Sequence, residues 1–201
     1  GWAGRGGEKL AAALAAFPVD PAGKRCLDVG ASTGGFTDVL LDGGASSVAA
    51  VDVGYGQLLW RLRNDPRVSV FDRTNFRHAD LEALGAPFDV VVVDVSFISV
   101  GLLAANLAAA GHGETDYVIL VKPQFEAGKG RVGKGGVVTD PAIHRETVEA
   151  VMDALGAVGL GAKGLVPSPI HGAKGNREFL LHLRPGTSAD LSARLAEVID
   201  T

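Results

Sequence analysis

Leu27-Asp28-Val29-Gly30-Ala31-Ser32-Thr33-Gly34-Gly35-Phe36 carries a short apolar run into a glycine-rich turn, and a helical pattern begins at once. Such a turn lets backbone pass very close to a ligand, because glycine has no side chain to stand in the way. The next apolar run, Val48-Ala49-Ala50-Val51, ends on Asp52. A carboxylate at the end of a second strand accepts both hydroxyls of a ribose in the nucleoside-cofactor sites of doubly wound sheets. Turn and carboxylate together point to an adenosine-bearing cofactor.

Three readings of the turn compete. A dinucleotide fingerprint needs G-x-G-x-x-G, and position 32 is Ser. A phosphate loop closes on Gly-Lys-Ser or Gly-Lys-Thr, which Gly34-Gly35-Phe36 does not supply. Gly30-Ala31-Ser32-Thr33-Gly34 does match the G-x-S-x-G nucleophile elbow of hydrolases. Position argues against that chemistry, since the elbow follows a late strand and only one helical pattern precedes Cys26. A turn that merely packs helix on strand is the plain alternative, weakened by the spacing to Asp52.

The 201 residues suffice for one α/β domain with its own core. A hydrophobic content of 47% and 28 glycines suit a compact fold with many tight turns. No apolar run reaches the length of a membrane span, and no secretory signal is evident. Cys26 is the single cysteine, which excludes an internal disulfide and fits a cytoplasmic location. The net charge of -4 argues against strong nonspecific binding to nucleic acid, while leaving room for a local basic face. The chain starts at Gly1 and its sole methionine is Met152, the pattern expected where an upstream segment has been trimmed.

Leu10, Leu14 and Phe17 outline a short amphipathic helix ended by Pro18 and Pro21. Strands are expected at residues 25–29, 47–53, 68–71, 88–94, 116–121, 162–166 and 177–183, with helices between the first six and a last helix over 189–199. Val90-Val91-Val92-Val93 is apolar throughout, as a central strand buried on both faces should be. The alternation of strand and helix predicts a mostly parallel sheet. Pro167-Ser168-Pro169 and the glycine-rich residues after it form a long loop that can return as a hairpin, turning the last strand antiparallel. The expected fold is therefore α/β and Rossmann-like: seven strands, mostly parallel with the last antiparallel, and helices on both faces. One domain is expected over residues 1–201, with 1–20 as an N-terminal helix and linker region.

Ligands of open α/β sheets bind outside the carboxyl ends of the strands. The polar residues at those ends are Asp28 with Gly30, Asp52, Asp72 with Asn75, Asp94 and Lys122. Lys122 directly follows Val118-Ile119-Leu120-Val121 and precedes Pro123. It is either half of a structural ion pair with Asp94 or a functional group sharing one crevice with it, and adjacent strand ends favour the second. Lys9, opening the first helix, and Glu178, opening the last strand, are ordinary by themselves. His112, His144 and His182 lack metal-ligand spacing, and no metal is expected.

Lys9, Asp94, Lys122 and Glu178 together resemble the Lys-Asp-Lys-Glu tetrad of ribose 2'-O-methyltransferases. The chain is similar to the TlyA (hemolysin A) family of ribosomal RNA methyltransferases, related to the FtsJ-type enzymes. The matching segments are Arg5-Gly6-Gly7-Glu8-Lys9-Leu10, the turn from Asp28 to Asp38, Val51-Asp52-Val53-Gly54-Tyr55-Gly56-Gln57-Leu58 and Thr74-Asn75-Phe76-Arg77. Asp94-Val95-Ser96-Phe97-Ile98-Ser99, Val121-Lys122-Pro123-Gln124-Phe125-Glu126 and Gly172-Ala173-Lys174-Gly175-Asn176-Arg177-Glu178-Phe179 complete a set that runs almost end to end. Two departures stand out. Gly4 occupies the place where the family usually has serine, and the S4-type RNA-binding domain with which members usually begin is not present in this sequence.

The resemblance implies a class I S-adenosyl-L-methionine-dependent methyltransferase fold and 2'-O-methylation of ribose in ribosomal RNA. Lys9, Asp94, Lys122 and Glu178 would be catalytic: Lys122 as base or oxyanion stabiliser, Asp94 orienting it, Glu178 holding Lys9. The cofactor would be held by Asp28, Gly30, Ala31, Ser32, Thr33, Gly34, Gly35, Phe36, Asp52, Val53, Asp72, Asn75 and Asp94. Within that set the turn would approach the methionine moiety, Asp52 the ribose and Asp72 the adenine. Arg5, Lys129, Arg131, Lys134, Lys174 and Arg177 would meet RNA phosphates, three of them on the glycine-rich loop of residues 128–136. The partner would be ribosomal RNA or ribosomal subunits, not a membrane, and the chain would act as a monomer. The rivals are methyl transfer to another hydroxyl or to protein, an inert RNA-binding module, and a membrane-active hemolysin, which no spanning or long basic amphipathic segment supports.

Overall fold

The computed structural model describes residues 1–200. Seven strands form one sheet: β1 (Arg25–Val29), β2 (Ser47–Val51), β3 (Val68–Phe71), β4 (Phe88–Val93), β5 (Gly111–Val121), β6 (Leu160–Pro167) and β7 (Phe179–Pro185). Their spatial order is β3-β2-β1-β4-β5-β7-β6. The first five are parallel, and β7 runs antiparallel between β5 and β6. The helices are α1 (Gly6–Ala16), α2 (Gly35–Asp42), α3 (Trp60–Arg63), α4 (Leu81–Leu84), α5 (Ala104–Ala110), α6 (Pro123–Glu126), α7 (Pro141–Gly156) and α8 (Ser192–Ile199).

Period-two alternation splits the core between the faces of the sheet. Val90 and Val92 join Cys26, Val48, Val118 and Leu120 under Leu10 and Ala13 of α1, Val39 and Leu40 of α2 and Leu62 of α3. Val91 and Val93 join Leu27, Val29, Tyr117 and Ile119 under Leu107 of α5, Val148, Val151 and Leu155 of α7 and Val198 of α8. The four β4 valines are fully buried, and burying each is worth about 1.5–3 kcal/mol.

Several boundaries differ from the sequence expectation, for local reasons. α4 is a single turn, capped by Asp80, whose carboxylate accepts from Glu82 N and Ala83 N, and stopped at Gly85 with φ 106°. α8 starts at Ser192 rather than 189, because Ala189 N is spent on Ala162 O beside β6 and the Asp190 side chain caps Ser192 N. β5 begins at Gly111, ahead of Asp116, and β2 and β4 end at Val51 and Val93. β7 begins at Phe179, so Glu178 stands just outside it.

Register then sets the site. Val29 pairs with Val51 on one side and Val93 on the other. The residues that follow, Gly30, Asp52 and Asp94, emerge side by side where the strand order reverses between β1 and β4, the place such sheets bind ligands. In the antiparallel pair, Val121 faces Phe179, so the flanking Lys122 and Glu178 also emerge together.

Candidate active site

Gly30 has φ 85°, and a Cβ there would lie 2.0 Å from the carbonyl oxygen of Asp94. Only glycine lets the β1–α2 turn press onto the end of β4. Gly30 N and Ala31 N both donate to Val51 O, and Asp94 N donates to Val29 O, locking the three strand ends. The Asp52 carboxylate accepts from Ser32 N through Oδ2 and from Gly54 N through Oδ1, each at 2.7 Å. This fixes its orientation and leaves lone pairs on both oxygens.

A crevice of about 280 Å³ opens here, lined by Gly30, Ser32, Asp52, Val53, Gln57, Asn75, Asp94 and Phe97 among others. That is the small end of the range for small-molecule sites. Its lining holds Asp52 and Asp94 but no lysine or arginine. Such a wall suits a cationic ligand and opposes a pyrophosphate. The N-terminus of α2 is also covered: a Cβ on Gly35 would lie 2.7 Å from Gly7 N. The donor set therefore fits a sulfonium nucleoside better than a dinucleotide. Ser32 has φ 51°, but its hydroxyl meets Gln57 Oε1 at 3.5 Å and no histidine lines the crevice, so the elbow reading has no base to support it. Among the described residues no His, Cys, Asp and Glu cluster could hold a metal.

The other residues expected at the cofactor divide. Val53, Asn75 and Asp94 reach the crevice, whereas Asp28, Ala31, Thr33, Gly34, Gly35, Phe36 and Asp72 do not line it. Asp28 is fully buried beneath the turn, with Oδ2 accepting from Thr37 Oγ1 at 2.8 Å and Oδ1 without a partner. Burial pushes its pKa up to about 7, against the Thr37 hydrogen bond and with a smaller push from Asp94. Asp72, expected near the adenine, is engaged elsewhere in this structure. Its carboxylate accepts from Arg63 at 2.9 Å, and it is not among the crevice-lining residues.

The tetrad residues form two ion pairs. Lys9 Nζ meets Glu178 Oε1 at 2.5 Å, with side chains 9% and 1% exposed. Lys122 Nζ lies 2.6 Å from Asp94 Oδ1 and donates to Ser96 Oγ at 2.9 Å. Lys122 directly precedes α6, with Pro123 at the first helical position, as proline's fixed φ prefers. Gln124 on the same turn donates to Glu178 Oε2 at 2.9 Å and so links the two pairs. Gly172 lies against Glu178, where a Cβ would sit 1.9 Å from Oε2.

Sequence reasoning missed Gln57, Ser96, Gln124 and Phe97. Gln124 lay within a quoted segment, but its partner is 54 residues away. Phe97 also lay within a quoted segment; it is 90% exposed beside the crevice, with φ 64° and its ring 4.8 Å from Phe125.

The basic residues also divide. Lys129 and Lys134 have no hydrogen bond or ion pair among the described residues, and Lys174 lies against Gly136. Arg5 donates to His171 O at 3.2 Å, and Arg131 pairs with Glu146 at 2.5 Å. Arg177 is committed elsewhere. It turns away from the crevice to donate to Val198 O at 2.9 Å and Ile199 O at 3.1 Å, satisfying carbonyls at the end of α8.

Fold and site together are those of a methyltransferase, and the chain belongs to the FtsJ-like methyltransferase family, whose pattern matches residues 2–185. It is 52% identical over 193 residues to the 16S/23S rRNA (cytidine-2'-O)-methyltransferase TlyA of Mycobacterium tuberculosis, covering 96% of this chain and 72% of that protein. It is 41% identical to hemolysin A of Brachyspira hyodysenteriae, covering 89% of this chain and 75% of that protein. A solved structure of a candidate hemolysin from Streptococcus thermophilus superposes with a TM-score of 0.95 at 42% identity, over 99% of this chain and 73% of that one. A Listeria monocytogenes S-adenosylmethionine-dependent methyltransferase shares the fold alone, with a TM-score of 0.66 at 14% identity over 90% of this chain and 99% of that one.

Proposed function

We propose that this chain transfers a methyl group from S-adenosyl-L-methionine to a ribose 2'-hydroxyl of ribosomal RNA. The observation that carries the reading is the pairing of Lys122 with Asp94 of the acid-lined crevice while Gln124, two residues on, ties that turn to the buried Lys9–Glu178 pair. S-Adenosylmethionine, when bound, supplies a methyl group made electrophilic by the sulfonium. Asp52, held by two backbone amides, takes the ribose hydroxyls of the cofactor, and the turn at Gly30 and Ser32 flanks its methionine end. Asp94 faces the methyl group and, with Ser96, fixes the direction of Lys122 Nζ. Lys122 would meet the 2'-oxygen and stabilise the charge that develops on it as its proton passes to solvent water and it takes the methyl group. Glu178, itself held by Gln124, fixes the buried Lys9 ammonium. Phe97 presents an open ring face on which a splayed base can stack. Lys129, Lys134 and Lys174 meet phosphates. The domain works as a cytoplasmic monomer without metal.

Calorimetric titration with S-adenosylmethionine should give selective micromolar binding, worth about 8 kcal/mol, and NADH should not bind. Equal binding of NADH would remove the cofactor assignment. Methylation of ribosomal subunits should stop when the acceptor nucleotide is 2'-deoxy; continued transfer would move the acceptor to a base. Lys122→Ala should slow transfer by about 100-fold or more with the fold retained, and near-normal turnover would take Lys122 out of the mechanism. For the hemolysin reading, no helix of the described residues is long and apolar enough to cross a membrane.

A further inference from the structure

Glu126 closes α6, one turn beyond Lys122. Its Oε2 accepts from Ser99 Oγ at 2.7 Å and its Oε1 from Val100 N at 2.9 Å. Ser99 Oγ accepts in turn from Gly101 N, which leaves its own proton for Glu126. At the near end of the same loop, Lys122 holds Asp94 and Ser96. The α6 turn therefore fastens the crevice wall of residues 94–100 at both ends.

Phe97 stands between the two fastenings. A β-carbon-bearing aromatic with φ 64° and 90% exposure has little packing of its own to keep it there beyond the Phe125 contact. Such backbone persists only where its surroundings over-determine it. Glu126 supplies the distal half of that constraint. Its carboxyl is sunk where burial pushes the pKa up, while the Ser99 and Val100 hydrogen bonds pull it back. A desolvated carboxylate is a costly acceptor, retained where two donors need one fixed point.

We propose that Glu126 is a positioning residue for the substrate side of the crevice, holding the 95–100 wall and the Phe97 ring in the shape that receives the target nucleotide. The inference rests on the methyl-transfer reading above. Both groups donate to the carboxylate; an amide could keep the Val100 N bond through its single oxygen, but it would turn the Ser99 contact into a neutral amide-to-hydroxyl bond and lose the charge that strengthens both.

The test compares wild type, Glu126→Gln, Phe97→Ala and the double variant in ribosomal RNA methylation, with amide hydrogen exchange on each. Glu126→Gln should raise KM for RNA about five- to tenfold, the loss of one charge-assisted hydrogen bond, with kcat within about twofold. The double variant should be no worse than Phe97→Ala alone, because both act through one element. Amides of 95–100 should exchange faster in Glu126→Gln, while those of β4 and β5 keep wild-type protection. An unchanged KM, additive losses in the double variant, or faster exchange spread evenly over the sheet would overturn the proposal. Should the wild-type chain transfer no methyl group, the underlying reading fails instead; Glu126 is then judged by the exchange pattern and by RNA affinity measured in titration.

Discussion

Lys9 and Glu178 meet at 2.5 Å with almost no solvent on either side chain. Removing one partner of a buried pair strands the other charge, at a cost of about 3–5 kcal/mol. Glu178→Gln should lower the unfolding free energy by about that amount in urea titration. Combining it with Lys9→Met should restore much of the stability and none of the turnover; full recovery of turnover would make the pair structural only. Asp28 titrates with the opposite consequence. Its pKa is about 7 in the folded chain, against 3.8 for an ordinary carboxyl. Between those values the native state keeps a proton that the unfolded state has lost, so Asp28's contribution to stability falls as pH rises through the window. Asp28→Asn has no proton to lose. Its stability relative to wild type should climb from about pH 4 to about pH 7 and then level off. A flat difference across unfolding experiments at a series of pH values would show that Asp28 is ionised throughout.

The β1–α2 turn is the element on which the crevice depends. Gly30→Ala would place a methyl group 2.0 Å from a backbone oxygen and force φ 85° on a residue that disfavours it. We expect a loss of at least about 2 kcal/mol in thermal unfolding, together with loss of cofactor binding in calorimetry. Unchanged affinity would mean that the turn does not shape the site. This element was legible in the sequence because its signals are local: an apolar run, glycines at set positions, a helix pattern directly after. Asp94 and Lys122 were legible for the same reason, each ending an apolar strand. Partner choice was not. Asp72 going to Arg63, Arg177 going to the end of α8, and Gln124 reaching Glu178 depend on what folding brings near. Helices were expected between β2 and β3 and between β3 and β4, but not that α3 and α4 would each be a single turn, since a segment of that length has no helical period to read.

At the scale of the whole molecule, 23 acidic and 19 basic residues give a net charge of -4, so the chain as a body repels RNA. Binding then has to come from where cations are concentrated and uncommitted. On the 128–136 loop, Lys129 and Lys134 carry no ion pair among the described residues, whereas Arg131 is held by Glu146. Each lysine that meets a phosphate contributes about 0.7 to 0.9 to the slope of log affinity against log salt. Lys129→Ala and Lys134→Ala should each flatten that slope by somewhat less than about 1 and weaken binding alike for all sequences. Arg131→Ala should do less, because its charge is already partly neutralised. Glu146→Gln releases Arg131 and removes a repulsive charge, so it should tighten RNA binding and steepen the slope. Filter binding across a salt series measures all four. If Glu146→Gln leaves both affinity and slope where they were, the loop lies away from the RNA, and the attraction must come from cations outside it, such as Arg5 beside His171.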